Sequence, residues 1–366
     1  MNKMIVANLT NRPLRSIISI TAVAVEVTLI LLIVGLALGI LDDNKTRQKG
    51  TGADILVRPP GSSNFTGLSS APVSIKVGDV LRKQPHVTAV APVVLQTTNK
   101  LETITGIDLP TYESLGGPLQ YIKGDPFKAP DEVIVDDIYA SARKVKVGSV
   151  VQLLGHDFRV TGIVPHGRGG RAYIPIKTIQ ELTGAENKAS MFYVKLDNPD
   201  NAENVSAQIK TIPGMENYNV MPMQQWMTLM SADNVPGLSI FIKVVIGIAM
   251  IIGFIVIFQA MYTSVMERTR EIGILKSLGA SKSYIVRLIL RESALLGAAG
   301  VVVGIVISVA GRAGLVHQFP TLSVLPLTLR WAIYATIIAV GGAMLGAVYP
   351  AFKAAQKDPI DALAYE

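Results

Sequence analysis

The sequence predicts an α-helical membrane protein with four transmembrane helices. A large two-lobed extracytoplasmic domain, α/β plus β in character, is expected between helices one and two. Three observations carry that expectation. Of the 366 residues, 49% are hydrophobic and only 17% charged, below the quarter usual for soluble domains, and the mean hydropathy is +0.41. The apolar residues collect in four blocks, 17–40, 238–262, 293–311 and 331–350, each close to or above the ~20 residues that a helix needs to cross ~30 Å of hydrocarbon. Basic residues gather beside these blocks on alternate sides.

That last pattern sets the orientation. Lys3, Arg12 and Arg15 precede the first block, six Lys and Arg residues lie between the second and third, and Lys353 and Lys357 follow the fourth. The connection 312–330 has only Arg312 and Arg330. By the positive-inside rule, the segment 1–16, the loop 263–292 and the tail 351–366 are expected in the cytoplasm, with 41–236 and 312–330 outside. Topology thus accounts for the formal charge of +7, and no nucleic-acid partner is expected. The absence of cysteine excludes disulfides and thiolate metal sites. The apolar block behind MNKMIVANLTNRPLRS exceeds a signal-peptide core and has no small-residue cleavage site, so an uncleaved anchor is expected.

Beyond the first span, LDDNKTRQKG is expected to continue the helix outward by about two turns, until Gly50 and Gly52 stop it. ADILVRPPG reads as a short strand closed by a turn. SIKVGDVLRKQPHVTAVAPVV reads as an amphipathic helix with Val77, Val80 and Leu81 on one face, broken at Pro85 before a strand. From 133 to 176, VIVDD, KVGSVVQLLG, HDFRVTGIVP and RAYIPI are short β elements split by turn residues, the pattern of a small antiparallel sheet or barrel. SMFYVKLDN, ENVSAQIKTI and NYNVMPM then read as strand, helix and strand. The domain is therefore expected to hold a β-rich lobe, about 111–189, inserted in an α/β lobe. SADNVPG at 231–237 returns the chain to the membrane, and no internal repeat is evident. Gly300 with Gly304, and Gly342 with Gly346, have the small-xxx-small spacing that permits close helix approach in lipid.

Residues 266–293, MERTREIGILKSLGASKSYIVRLILRES, place nine charged residues between two spans. Ile272, Leu275 and Leu278 recur at three-residue spacing as an apolar stripe, while Glu267, Arg268, Arg270 and Glu271 fall largely on other faces. Gly279 suits the C′ position of a helix, and Ser281 can cap the next. The spacing predicts helix, tight turn, helix: a stiff elbow with its apolar side on the membrane end of the bundle. A plain solvated loop would need neither the stripe nor the cap and stop signals.

This stretch resembles the cytoplasmic loop of the MacB/FtsX superfamily of ABC transporter permeases, in which E-R-x-R-E-I-G-x-L-K-x-L-G-A is the most recognisable run. The ending YPAFKAAQKDPIDALAYE resembles the family's Y-P-A-x-x-A-A-x-x-D-P-x-x-A-L, and NRPLRSIIS resembles its start. The resemblance implies a type VII, mechanotransmission-type permease in a bacterial cytoplasmic (inner) membrane, served by a separate cytoplasmic ABC ATPase subunit. That ATPase would dock on the elbow through Glu267, Arg268, Arg270, Glu271 and Lys276, with Gly273 and Gly279 permitting close approach. The resemblance also implies a homodimer with a second permease copy and, in some relatives, a periplasmic adaptor protein and outer-membrane channel. No G-x-x-x-x-G-K-[ST] occurs, so the chain is expected to be no enzyme and to bind no cofactor, with ATP and Mg held by the partner ATPase. HGRGGR at 166–171 is expected to be a mobile hairpin tip.

Glu26 lies mid-span, where an ionisable group is costly and points to function by default. A proton, cation or haem-like substrate site, a pairing with its dimer mate, and a protonated structural hydrogen bond all remain open. His86, His156, His166 and His317 have no metal-ligand spacing, and Asp136 with Asp137 reads as turn or surface. No catalytic constellation is found. The expected function is a transport permease coupling ATP hydrolysis to motion of the outer domain for export or efflux. The alternatives are an FtsX-like regulator of cell-wall hydrolases and a lipoprotein-extraction permease.

Overall fold

The structure, a computed structural model, describes residues 13–62, 72–98, 102–318 and 329–358. Lys3, Arg12 and the last eight residues of the C-terminal motif lie outside the described residues. The chain divides into two compact units, one built on the described residues up to Gly39 with Gly237–Leu315 and those from 329 onward, the other on Ile40–Pro236.

The first unit is helical. Four helices are long and apolar enough to span a membrane: Pro13–Lys49, Leu238–Glu267, Lys282–Val316 and Leu329–Gln356. The first runs on through a π-helical turn at Ile30–Val34 and ends at Lys49, one residue before Gly50. Span four carries Ala335, Ala339, Ala343, Ala347 and Ala351 at four-residue spacing, all buried. This stripe of small residues allows the backbone of span two to come close. A methyl group on Gly346 would sit 2.9 Å from the Phe254 carbonyl oxygen, whereas one on Gly342 would meet nothing nearer than Met250 Cγ at 3.9 Å. Gly300 and Gly304 of span three face span one, where added methyls would lie 3.0 Å from the Ile20 carbonyl oxygen and 2.8 Å from that of Ala24. The Thr28 hydroxyl reaches the Gly304 carbonyl at 3.2 Å across the same contact. Spacing alone cannot say which helices these glycines join; the contacts pair span three with span one and span four with span two.

The second unit is a mixed α/β domain on one ten-stranded sheet. Its strands are β1 (Ile55–Arg58), β2 (Val73–Ser74), β3 (Val87–Thr97), β4 (Thr103–Ile107), β5 (Lys123–Gly124), β6 (Glu132–Asp136), β7 (Val150–Leu153), β8 (His156–Val164), β9 (Ala172–Pro175), β10 (Lys188–Ala189), β11 (Met191–Leu196) and β12 (Asn219–Pro222). The main sheet runs β12-β1-β11-β3-β4-β9-β6-β8-β5 with β7 on β8, and β2 and β10 pair apart from it. Two cores divide its length. Ile55, Val57, Leu81, Phe192, Val194 and Ile209 centre one; Ile104, Val133, Phe158, Val160, Ile174 and Ile179 centre the other.

Four expectations need correction. The β-rich lobe is not a separate antiparallel sheet: β4 pairs with β9, and β6 with β8, in parallel, so the sheet is mixed and continuous through both cores. Parallel pairing needs crossovers, and helices Leu109–Gly116 and Asp137–Arg143 lie within them. Val80 is exposed while Leu81 is fully buried, because the helix there is only Val77–Arg82 and turns Val80 away from the core. Asp136 is fully buried. It caps Asp137–Arg143 by accepting from the Tyr139 N–H at 2.6 Å, and it pairs with Arg171 at 3.1 Å. Burial raises its carboxyl to about 6, more than Arg171 and the Tyr139 N–H lower it. Finally, HGRGGR is no free tip. Arg168 donates to the carbonyls of Gly50, Gly117 and Pro118, and Arg171 is buried between two carboxylates.

If backbone proximity sets the helix packing, Gly304→Ala and Gly346→Ala will each lower stability in detergent by about 1–2 kcal/mol, and Gly342→Ala by no more than about 0.5 kcal/mol. Thermal unfolding of the three variants measures this directly.

Candidate functional site

The elbow between spans two and three is built from its backbone outward. Span two ends at Glu267, and Arg268 leaves helical geometry at φ −105, ψ 21. A short helix, Thr269–Ser277, follows at once. Thr269 bridges the break by donating its hydroxyl to the Met266 carbonyl at 2.8 Å. The short helix closes in a Schellman turn: Gly279 adopts φ +93, its N–H donates to Lys276 O, and the Ala280 N–H donates to Leu275 O. Ser281 then accepts the Tyr284 N–H at 3.3 Å and caps span three.

Charge fixes the elbow to the bundle. Arg268 holds Glu292 through two hydrogen bonds, of 3.2 and 2.7 Å, and both side chains are largely buried. Arg15 pairs with Glu267. Lys276 donates to the carbonyls of Ala355, at 3.1 Å, and Lys357. There it satisfies carbonyls that a helix end leaves unpaired, and its charge complements the helix dipole. Lys357 returns to the Thr269 hydroxyl at 3.3 Å. The ends of all four spans on the elbow side are thereby tied to one another. The cavity between the elbow and span three is only about 30 Å³, room for water and not for a ligand.

The placement of the predicted docking residues is therefore divided. Arg270, Glu271 and Gly279 are exposed. Arg268 and Lys276 turn inward as ties, Glu267 is tied to Arg15, and Gly273 is buried. Leu278, expected to rest on the bundle, is instead 80% exposed, and Ile274 is 44% exposed. Six residues carry a helix through about 600°, so Leu278 lies about 120° round from Ile272, while Thr269 and Gly273 are the buried residues of this helix. Three-residue spacing missed this drift; a count at about 3.6 residues per turn was the available signal.

Glu26 is only 3% exposed within a single chain. Its carboxylate group sits on Gly253, where a methyl would come within 2.0 Å of Oε2, and its Oε1 has no hydrogen-bond partner among the described residues. Elsewhere His86, His156 and His166 each pair with one aspartate, and no group of metal-ligating residues forms among the described residues.

Four membrane-length helices, a mixed α/β domain between the first two and a charged elbow between the second and third define an integral membrane protein with one large domain outside its spans. Residues 16–212 match the MacB-like periplasmic core domain, and residues 243–359 match the FtsX-like permease C-terminal domain. The chain belongs to the MacB/FtsX-like family of ABC transporter permeases, a membrane family with an extracytoplasmic domain. It is 31% identical over 229 residues to the ABC transporter permease YknZ of Bacillus subtilis, covering 60% of this chain and 55% of that one. It is 24% identical over 388 aligned positions to the macrolide export ATP-binding/permease protein MacB of Escherichia coli, covering 96% and 58%. The chain thus spans about half the length of the curated relatives it matches. The periplasmic region of MacB from Actinobacillus actinomycetemcomitans aligns with a TM-score of 0.36 at 18% identity, over 48% of this chain and 90% of that one.

Removing one partner of a buried ion pair strands the other charge and costs about 3–5 kcal/mol. Arg268→Ala will therefore destabilise the protein strongly, and Arg268→Ala with Glu292→Leu will recover most of the loss. A thermal-shift double-mutant cycle tests the coupling.

Proposed function

We propose that this chain is the permease subunit of an exporter, with its elbow as the docking point for a separate cytoplasmic ATPase. The reading rests on one observation: an elbow held rigid by internal ties presents exposed leucine and isoleucine side chains beside an exposed Arg–Glu pair. Isolated apolar residues on a surface are ordinary. Leu278 and Ile274 differ because the loop is otherwise charged and internally tied. Burying such a side chain in a partner groove contributes about 1.5–3 kcal/mol, while Arg270 and Glu271 at the rim steer orientation.

On this reading both termini and the elbow are cytoplasmic, and Ile40–Pro236 projects outside the inner membrane. Two copies of the chain pair and engage two ATPase subunits, which hold the ATP and Mg. Nucleotide-driven closure of the ATPases moves the elbows, and the tied inner ends of the four spans carry that displacement outward together. The outer domain then works on an export substrate, alone or with a periplasmic adaptor and an outer-membrane channel. Glu26, buried against Gly253, has a structural role in this scheme.

Leu278→Asp combined with Arg270→Glu leaves the internal ties intact. It will reduce co-purification of the ATPase by about tenfold or more, equivalent to at least about 1.4 kcal/mol, with no loss of permease yield. Undiminished recovery of the complex would exclude the elbow as the docking surface.

A further inference from the structure

The HGRGGR segment has no part in the elbow, yet its backbone and both arginines are bonded to other elements of the outer domain. It closes on the outer end of helix Pro13–Lys49. A helix leaves its last four carbonyls without intrahelical partners. Here Thr46 O accepts from the Gly50 N–H, Gln48 O from Thr51, and Lys49 O from the Gly52 N–H, all within the local turn. Arg47 O is the exception, accepting the Gly169 N–H at 2.8 Å. The two backbones touch: a methyl on Gly50 would lie 1.7 Å from the Gly167 carbonyl oxygen. Arg168 reinforces the contact through the Gly50 carbonyl at 3.2 Å and links it to Gly117 and Pro118 at 3.0 and 2.8 Å.

Side chains complete the fastening. Asp43 pairs with Arg47 at 2.9 Å and with Arg171 at 3.0 Å, and Arg171 reaches Asp136 at 3.1 Å. The four formal charges cancel, so buried Arg171 and Asp136 and partly buried Asp43 and Arg47 together carry no net charge. It ends at Asp136, the last residue of β6. Next to Arg47 in the chain, Gln48 accepts the Tyr193 hydroxyl of β11 at 2.7 Å. The helix end is thus bonded to strands that belong to both halves of the sheet.

We infer that residues 166–171 form a latch that fastens the outer end of this helix to the ten-stranded sheet through Arg168 and Arg171, so that the whole sheet moves with the helix. Arg168 and Arg171 are positioning residues for the motion proposed above, and the inference rests on that reading. A latch of this kind has separable consequences. Loosening it leaves docking and nucleotide turnover at the inner face untouched, and it disconnects the outer domain from them.

The test uses the full chain with its ATPase in lipid nanodiscs. The native chain lacks cysteine, so a spin label at Ser141→Cys, an exposed position in the outer domain, is the only thiol label on the permease. The label-to-label distance between the two copies is measured with and without ATP plus vanadate. Arg168→Met and Arg171→Lys are introduced separately; the first leaves no buried carboxylate stripped of its cation, which guards against misfolding. The latch predicts that both variants retain ATPase turnover within twofold of the parent and lose at least half of the ATP-driven distance change. It further predicts at least tenfold faster amide exchange across residues 44–52 in Arg168→Met. A full distance change in both variants, or unchanged exchange at 44–52, overturns the latch and leaves the docking proposal standing. A parent protein whose labels do not move with ATP overturns the proposed function itself.

Discussion

The ion pair between Arg268 and Glu292 is the constraint on which the elbow end of the helical unit depends. It joins the break after span two to the opening turns of span three, and both side chains are largely buried, so a single charge there would be costly. Two hydrogen bonds, of 3.2 and 2.7 Å, repay the desolvation that a buried pair incurs. With that pair in place, the short helix Thr269–Ser277 cannot swing away from the bundle. Lys276 then reaches the end of span four, and Arg15 closes the set from span one.

This arrangement inverts the usual expectation for a charged loop. Several of its charges are used inward, as ties among helix ends, and its most exposed large hydrophobic residue is a leucine. A rigid base with an apolar tip suits a surface that must transmit displacement. The packing of the spans is consistent with that task. Backbone-close contacts at Gly300, Gly304 and Gly346 bring span one to span three and span two to span four, while Glu26 on Gly253 joins spans one and two and Gly297 on Ala343 joins spans three and four. At the far end of helix Pro13–Lys49, within the outer domain, the same economy of contacts recurs: glycines for backbone approach and arginines shared between carboxylates and carbonyls.

Much of the architecture was legible because its causes are local. The four spans follow from hydropathy, the extension to Lys49 from a polar run without a breaker, and the elbow's turn from a glycine followed by a capping serine. The expectations that failed concern partners distant in sequence. Asp136 looks like a turn residue until Arg171, 35 positions later, is brought beside it by the β6–β9 pairing. The parallel pairing of β4 with β9 joins segments more than sixty residues apart, and no periodicity encodes it. Leu278 failed for a different reason. Three-residue spacing assigns it to the stripe of Ile272 and Leu275, but at about 3.6 residues per turn that spacing drifts and leaves Leu278 about 120° away from Ile272.

The central claim is that the elbow and the outer domain lie on opposite faces of the membrane, one receiving force and the other using it. Thiol accessibility in intact cells tests this most directly, given a chain without native cysteine. Single variants Leu278→Cys and Glu203→Cys are treated with a membrane-impermeant maleimide before and after permeabilisation of the inner membrane. The account predicts labelling of Glu203→Cys from outside and of Leu278→Cys only after permeabilisation. Labelling of both positions from the same face would contradict it.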